Sequence, residues 1–303
     1  MSHHQEHSHR TRSSRALGLV LALTVAYTVA EIAGGLLTGS LALLADGGHM
    51  IGDSVALGLA LGASWLAGRP ATPKRSFGYR RAEILAALAN GVALVAIAIW
   101  VFAEAIVRLD HPPRILAGWM LGLALAGLAV NIAAAGILAR VSEENLNVQA
   151  ALRHVFADLA GSAGVVTAAL VVLATGWRQA DPLAGMAIAL LILGSSWTIL
   201  RDSVAILLET TPAGIDAQEV GRRMAAAEGV VEVHDLHIWT ITSGFPTLSA
   251  HVLVGRGDDC HARRRELEKL LRSEFGIGHT TLQVEHAGES EGLQITPLRR
   301  RPR

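Results

Sequence analysis

With 303 residues, 51% of them hydrophobic and 17% charged, and a mean hydropathy of +0.40, the chain is too apolar for a soluble protein of its size and belongs in a lipid bilayer. Its formal net charge is zero and its aromatic content 4%, so neither a basic surplus nor stacking platforms for bases point to nucleic acid as a partner. One cysteine, Cys260, rules out a disulfide within the chain and fits a reducing compartment for the part that carries it.

Residues 1–15 hold His3, His4, His7 and His9 among polar neighbours, too little apolar surface to pack, and read as a His-rich tail able to chelate zinc loosely. The stretch has no apolar core or small-residue cleavage site of a signal peptide and is expected to stay attached. Six long apolar runs follow, at 17–38, 41–67, 82–107, 115–139, 150–174 and 183–208, each long enough as a helix to cross about 30 Å of hydrocarbon. Their flanks are unequally charged. One side takes Arg10, Arg12, Arg15, Arg69, Lys74, Arg75, Arg80, Arg81, Arg140 and Arg153, whereas the other takes only Arg108, Arg114 and Arg178. The positive-inside rule therefore predicts cytoplasmic N- and C-termini around a six-helix membrane domain at 16–209.

Leu207-Leu-Glu-Thr-Thr-Pro212 reads as a hinge, after which the composition becomes that of a soluble domain. The pattern predicts a helix over Asp216 to Glu228, strands over Val230 to Ile241 and Leu248 to Val254, a helix over His261 to Phe275 and a strand over Thr280 to His286. That α-β-β-α-β order implies a C-terminal ferredoxin-like α+β cytoplasmic domain at 210–287, its helices on one sheet face, followed by a disordered tail at 288–303.

Two stretches place charge inside apolar runs. In Ser40-Leu-Ala-Leu-Leu-Ala-Asp-Gly-Gly-His-Met-Ile-Gly-Asp-Ser54, His49 and Asp53 stand four apart; in Ala150-Ala-Leu-Arg-His-Val-Phe-Ala-Asp158, His154 and Asp158 repeat the spacing. Residues four apart share a helix face, so each pair presents two ligands together. One intramembrane His or Asp often merely caps a helix or bonds a neighbour. Two matched pairs are another matter, since an ionisable group costs roughly 2.5 kcal/mol or more at the bilayer centre and marks a pathway. On helices running in opposite directions, two imidazoles and two carboxylates meet at one depth, a set suited to tetrahedral zinc.

Other polar residues in the runs read as structural. Glu31, Asn90, Glu104 and Asn131 are expected to bond across the bundle, and Asp181, before Pro182, to cap the sixth helix; Asp46 lies outside the first ligand shell. Strict alternation in the 230–241 strand turns His234 to one face with Leu236 and His237 to the other with Trp239. His251 and His286 are placed to converge with His234, with His261 nearby, as a second metal site; Cys260 beside His261 is a weaker candidate.

Ser40-Leu-Ala-Leu-Leu-Ala-Asp-Gly-Gly-His-Met with Asp53, Phe77-Gly-Tyr-Arg-Arg-Ala-Glu-Ile-Leu-Ala-Ala-Leu88, His154 with Asp158, Asp181-Pro182 and His234-Asp-Leu-His-Ile-Trp239 resemble, in order, the motifs of cation diffusion facilitators of the bacterial zinc-transporter branch. The resemblance runs from about residue 15 to 286. It implies a homodimeric zinc/proton antiporter of the bacterial inner membrane, with His49, Asp53, His154 and Asp158 as transport site and a cytoplasmic domain that dimerises and binds zinc. It carries over His234, His251 and His286 to that domain. The chain departs from relatives in four places. Arg69 to Tyr79 holds neither Asp nor His, so a further loop site is absent; Ser142 to Asn147 holds no His; Arg153 stands where an aliphatic residue is usual; and Gly288 replaces an acid.

The expected activity is zinc efflux by alternating access. Metal displaces a proton from an imidazole, and re-protonation on the far side helps expel it. No covalent step is required, and the chain is not expected to be an enzyme. Alternatives of other classes are a membrane metal sensor and an intramembrane metalloenzyme, but no His-Glu-x-x-His motif accompanies the pairs. Cadmium, cobalt and nickel suit the donors as secondary ions, whereas calcium and magnesium want more oxygens.

Overall fold

The computed structural model describes residues 3–139 and 146–288; the side chains at 3–17, 57, 60, 61, 64, 67, 146–151, 153, 154 and 157 lie outside that description. Six long helices come first: α1 (His3–Thr38), α2 (Leu41–Ala67), α3 (Ala82–Asp110), α4 (Ala117–Ala139), α5 (Leu146–Thr175) and α6 (Ala180–Leu207). Five of them contain a segment long and apolar enough to cross a membrane. The sixth, α2, has 27 residues, about 40 Å of helix, and carries Asp46, His49 and Asp53. The helical backbone of α1 extends through the His-rich stretch from His3, well before the apolar run that begins at residue 17. The last stretch, 289–303, lies outside the described residues.

Two compact units divide the chain. The first comprises Met1–Gly62 and Ala86–Arg201. Its helices bury narrow stripes in which small residues recur. In α4 these are Ala117, Met120, Ala124, Gly127, Asn131, Ala134 and Leu138, three or four apart, so one face packs closely while the other meets lipid. Gly127 leaves room for the Tyr27 ring of α1, and any Cβ there would collide with the phenol. Leu125, Ile132, Leu190, Leu191 and Trp197 point outward, as lipid-facing positions should.

The turn between α1 and α2 gathers three other helices. Gly39 takes φ +73°, the left-handed conformation that ends α1. Its carbonyl accepts from Arg108 Nη1 of α3 at 2.7 Å, and the Thr38 carbonyl accepts from the Leu116 amide, just before α4, at 3.1 Å. Asp181 then differs from expectation. It does not cap its own helix: its carboxylate accepts from the α2 amides of Leu41 at 2.8 Å and Ala42 at 3.2 Å, and from Ser40 Oγ at 2.6 Å. Because α6 begins at Ala180, Asp181 sits within its first turn, where Pro182 is also tolerated, and the side chain is free to serve the next helix. Asp181 is fully buried.

The second unit comprises Ala63–Leu85 and Asp202–Arg303. Its order is α7 (Ala217–Ala225), β1 (Val230–Thr240), β2 (Pro246–Val254), α8 (Cys260–Phe275) and β3 (His279–His286), the α-β-β-α-β pattern expected. The sheet runs β1-β2-β3, with β1 antiparallel and β3 parallel to the central β2. Leu248, Ala250, Val252 and Val254 alternate along β2 toward Val220 and Met224 of α7 and Leu267 and Leu271 of α8. Asp216 and Asp259 cap the two helices, each accepting from two backbone amides. The Ala262 and His261 amides hold the Asp259 carboxyl below its ordinary value. The 68–81 loop belongs to this unit. Thr242 Oγ1 donates to Glu83 Oε2 at 2.6 Å, Arg81 pairs with Glu209 at 2.7 Å, and the His279 ring packs edge-on to Phe77 at 5.8 Å.

Two substitutions test these caps. Asp181→Ala strands buried donors at the start of α2 and should cost about 3 kcal/mol, read as a lowered thermal midpoint of the purified protein, with Asp181→Asn in between. A carboxyl with a depressed pKa stabilises above its unfolded value and loses that effect as pH falls. Asp259→Ala should therefore lower the midpoint at neutral pH and converge with wild type once pH drops below the ordinary aspartate range.

Candidate metal centre

Among the described residues, the His, Cys, Asp and Glu donors that come together as a set of three are those of His49, Asp53 and Asp158, all mutually within 4.8 Å. His49 Nε2 lies 3.6 Å from Asp53 Oδ2 on the same helix and 3.8 Å from Asp158 Oδ1 on α5. Zinc bonds of about 2.0–2.1 Å place tetrahedral donors roughly 3.4 Å apart, so the two His49 contacts would contract by only a few tenths of an ångström around a shared ion. The Asp158 side chain is 7% exposed and those of His49 and Asp53 are 20% and 28%. His154, the fourth expected ligand, lies on the α5 backbone one turn before Asp158, and its side chain is outside the described residues.

Sequence periodicity explains this placement. On α5 the buried positions Val155, Asp158, Ser162, Val165, Ala169 and Val172 form one stripe, which puts Asp158 on the bundle side rather than toward lipid. On α2, Gly47 and Gly52 allow Ile32 of α1 and Leu94 of α3 to approach, and His49 falls between them. One turn from the donors, a buried chain of polar groups links three helices: Asn131 Nδ2 of α4 donates to Ser162 Oγ of α5 at 3.1 Å, and Ser162 Oγ donates to Asp46 Oδ2 of α2 at 3.4 Å. Gly161 lies against the same carboxylate, and a Cβ there would sit 2.9 Å from Asp46 Oδ1.

Asp46 thus ties α2 to α5 through Ser162 and lies against Gly161, a role its sequence position one turn before His49 hinted at without naming the partner. Of the residues expected to bond across the bundle, Asn131 does so, and so does Glu31 of α1, whose side chain bonds that of Asp46 on α2. Glu31 accepts from Tyr27 Oη within α1 at 3.0 Å, and it is Tyr27 that reaches the Leu123 carbonyl of α4 at 3.1 Å. Glu104 pairs with Arg108 one turn on in α3 at 2.8 Å, and Asn90 is buried.

The C-terminal histidines are distributed differently from expectation. A β-bulge interrupts β1: His234 pairs with His251 and His237 with Ser249, so three steps on one strand oppose two on the other. The extra residue is Asp235, whose φ of +52° is one of the left-handed conformations that Asp tolerates. Alternation is therefore reset, and His234 and His237 share the sheet face turned away from the helices instead of opposite faces. The His234 and His251 rings stack with centroids 5.4 Å apart. Asp235 lies between His237 at 3.1 Å and His251 at 4.0 Å. His286 pairs in register with Val254 and so faces the helices; its Nε2 lies 3.5 Å from Cys260 Sγ and 3.0 Å from the Asp258 carbonyl. His261 is the second residue of α8, its amide donating to Asp259. The structure brings His234 to His251, and His286 to Cys260, but not the four histidines into one cluster.

The sequence of residues 17–208 matches the cation efflux transmembrane domain, and residues 212–287 match the cytoplasmic domain of cation efflux proteins. The chain belongs to the cation efflux family. Relatives align with it over nearly its whole length. A cadmium, cobalt and zinc/H(+)-K(+) antiporter of Bacillus velezensis is 40% identical over 95% of this chain and 94% of its own length. The metal cation efflux system protein CzcD of Cupriavidus metallidurans is 40% identical over 93% and 89%, and the zinc transporter ZitB of Escherichia coli is 40% identical over 94% and 91%. As a cation efflux protein, the chain is an integral membrane transporter rather than an enzyme, and the three gathered donors sit inside its transmembrane domain.

Gly161→Ala forces the Asp46 carboxylate to shift and disturbs the bond it accepts from Ser162, which ties α2 to α5. Zinc affinity of the purified protein, measured by calorimetry, should fall roughly tenfold, as outer contacts of metal sites commonly cost; unchanged affinity would show that this contact does not position the donors.

Proposed function

We propose that the protein moves zinc out of the cytoplasm in exchange for protons, with His49, Asp53, His154 and Asp158 as the ion's stopping place. The observation that carries this reading is the convergence of His49, Asp53 and Asp158 from two helices within the transmembrane domain. Relatives named for zinc, and for cadmium, cobalt and zinc with H(+) and K(+), support both the cargo and the counter-ion. Zinc is favoured over harder cations because an imidazole joins the carboxylates.

In the mechanism, a hydrated cation enters from the side that carries the basic flanks, loses water and is held by nitrogen and oxygen donors. An imidazole must be unprotonated to bind metal, so loading releases a proton and re-protonation weakens the hold. Movement of the pair-bearing helices against the rest of the bundle turns the same donors toward the opposite side. Both termini lie in the cytoplasm, an orientation that the ten-to-three bias of Lys and Arg across the flanks supports. Two copies associate through their C-terminal domains, whose family model is that of the cation efflux dimer domain. The stacked His234 and His251 give that domain a place for metal outside the membrane.

Radiotracer zinc uptake into proteoliposomes under an imposed pH gradient tests the reading. Wild type should accumulate zinc, collapse of the gradient should slow it, and Asp158→Ala should abolish it with normal membrane insertion. Uptake by Asp158→Ala equal to wild type would reject the site, and absence of any wild-type flux would favour a sensor.

A further inference from the structure

The 68–81 loop joins α2 to α3 and enters the membrane at once, because Arg80 and Arg81 immediately precede the span that opens at Ala82. The loop borders a pocket of about 470 Å³, within the roughly 300–1,000 Å³ of small-molecule sites. Lys74, Arg75, Arg80 and Arg81 line it against a single acid, Glu209, leaving a surplus of three positive charges. A pocket so charged takes an anion.

Its cations are arranged, not merely crowded. Arg81 is fixed by its 2.7 Å pair with Glu209. Arg80 lies over the Phe245 ring at 4.2 Å. Arg75 lies over the Tyr79 ring at 4.5 Å and donates to its hydroxyl at 2.8 Å. Reciprocal backbone hydrogen bonds between Thr72 and Arg75, at 3.1 and 2.8 Å, hold the loop that presents Lys74. Guanidinium groups restrained in this way lose little freedom on binding and match the paired oxygens of a phosphate, to which Lys74 adds a mobile point charge. Trp239 and the exposed Phe77 complete the wall with amphipathic and apolar surface, the side-chain types that favour the headgroup level of a bilayer.

We propose that this pocket binds the phosphate of an anionic phospholipid headgroup. The chemistry recognised is a phosphate monoanion or diester, and the source is the lipid because a loop tethered to two membrane helices meets headgroups at a concentration no soluble phosphate reaches. Basic pockets beside membrane helices bind lipid headgroups by the same physics, each cation near the surface contributing about 1 kcal/mol. The bound lipid would fasten the loop, and through Glu83 and Thr242 the β1–β2 turn, to the bilayer surface.

The test is retention of phosphatidylglycerol against phosphatidylcholine by the full-length protein, read by native mass spectrometry after exchange into mixed micelles. Wild type should retain phosphatidylglycerol preferentially. Lys74→Ala combined with Arg75→Ala should weaken that retention about thirty-fold, from two lost cations, while Lys74→Arg combined with Arg75→Lys should keep it within a few fold. Equal retention by wild type and the alanine pair overturns the proposal, as does loss in the charge-preserving pair. In a parallel arm, inorganic phosphate is added to lipid-depleted protein. Millimolar phosphate that displaces the lipid and raises the thermal midpoint as far as phosphatidylglycerol does would assign the pocket to the free ion and overturn the lipid source.

Discussion

Acidic side chains inside a bilayer have to be satisfied by the bundle itself, because the hydrocarbon offers neither water nor counter-ions. Much of the transmembrane unit is arranged around that constraint. Asp181 is met by two amides and a hydroxyl, Glu31 by a phenol, Glu104 by a guanidinium, and Asp46 by a serine whose own oxygen is met by an asparagine. Asp53 and Asp158 instead lie against His49, in the group proposed above to take a small cation. On the reading proposed above, the same requirement that makes charge costly in lipid separates the acids that hold helices together from those that would hold cargo.

Much of this was legible in the sequence. A spacing of four places two side chains on one helical face regardless of context, so His49 with Asp53 could be read directly, and so could the apolar runs. What the sequence did not disclose depends on contacts between segments distant along the chain. Asp181 stands beside a proline at a helix start, and local rules assign it to that helix. Its actual partners are about 140 residues away and become visible only when α2 and α6 lie side by side. Asp46 likewise announces itself as a buried acid, but nothing local names Gly161 and Ser162 as its wall.

In the C-terminal domain the failure has another origin. The elements and their order follow from alternating hydrophobicity and the two aspartate caps, and all are present close to the expected limits. Alternation, however, presumes one residue for each step of the partner strand. Asp235 adds a residue, the pleat is reset, and every side-chain assignment beyond it is inverted relative to the simple count. The reading of His237 failed for that reason, and that of His286 because its register partner, Val254, faces the helices.

The α1–α2 turn bears on how such a protein changes shape. Within five residues, Thr38 to Ala42, it is fastened to α3 by Arg108, to the start of α4 by Leu116 and to α6 by Asp181. Rods pinned together at one extremity separate only at the other, so this knot serves as a fulcrum: α2 and α6 can splay at their far ends while their near ends stay closed. Small angular excursions about it would be magnified with distance along α2, making the helix that bears His49 and Asp53 the arm of a lever.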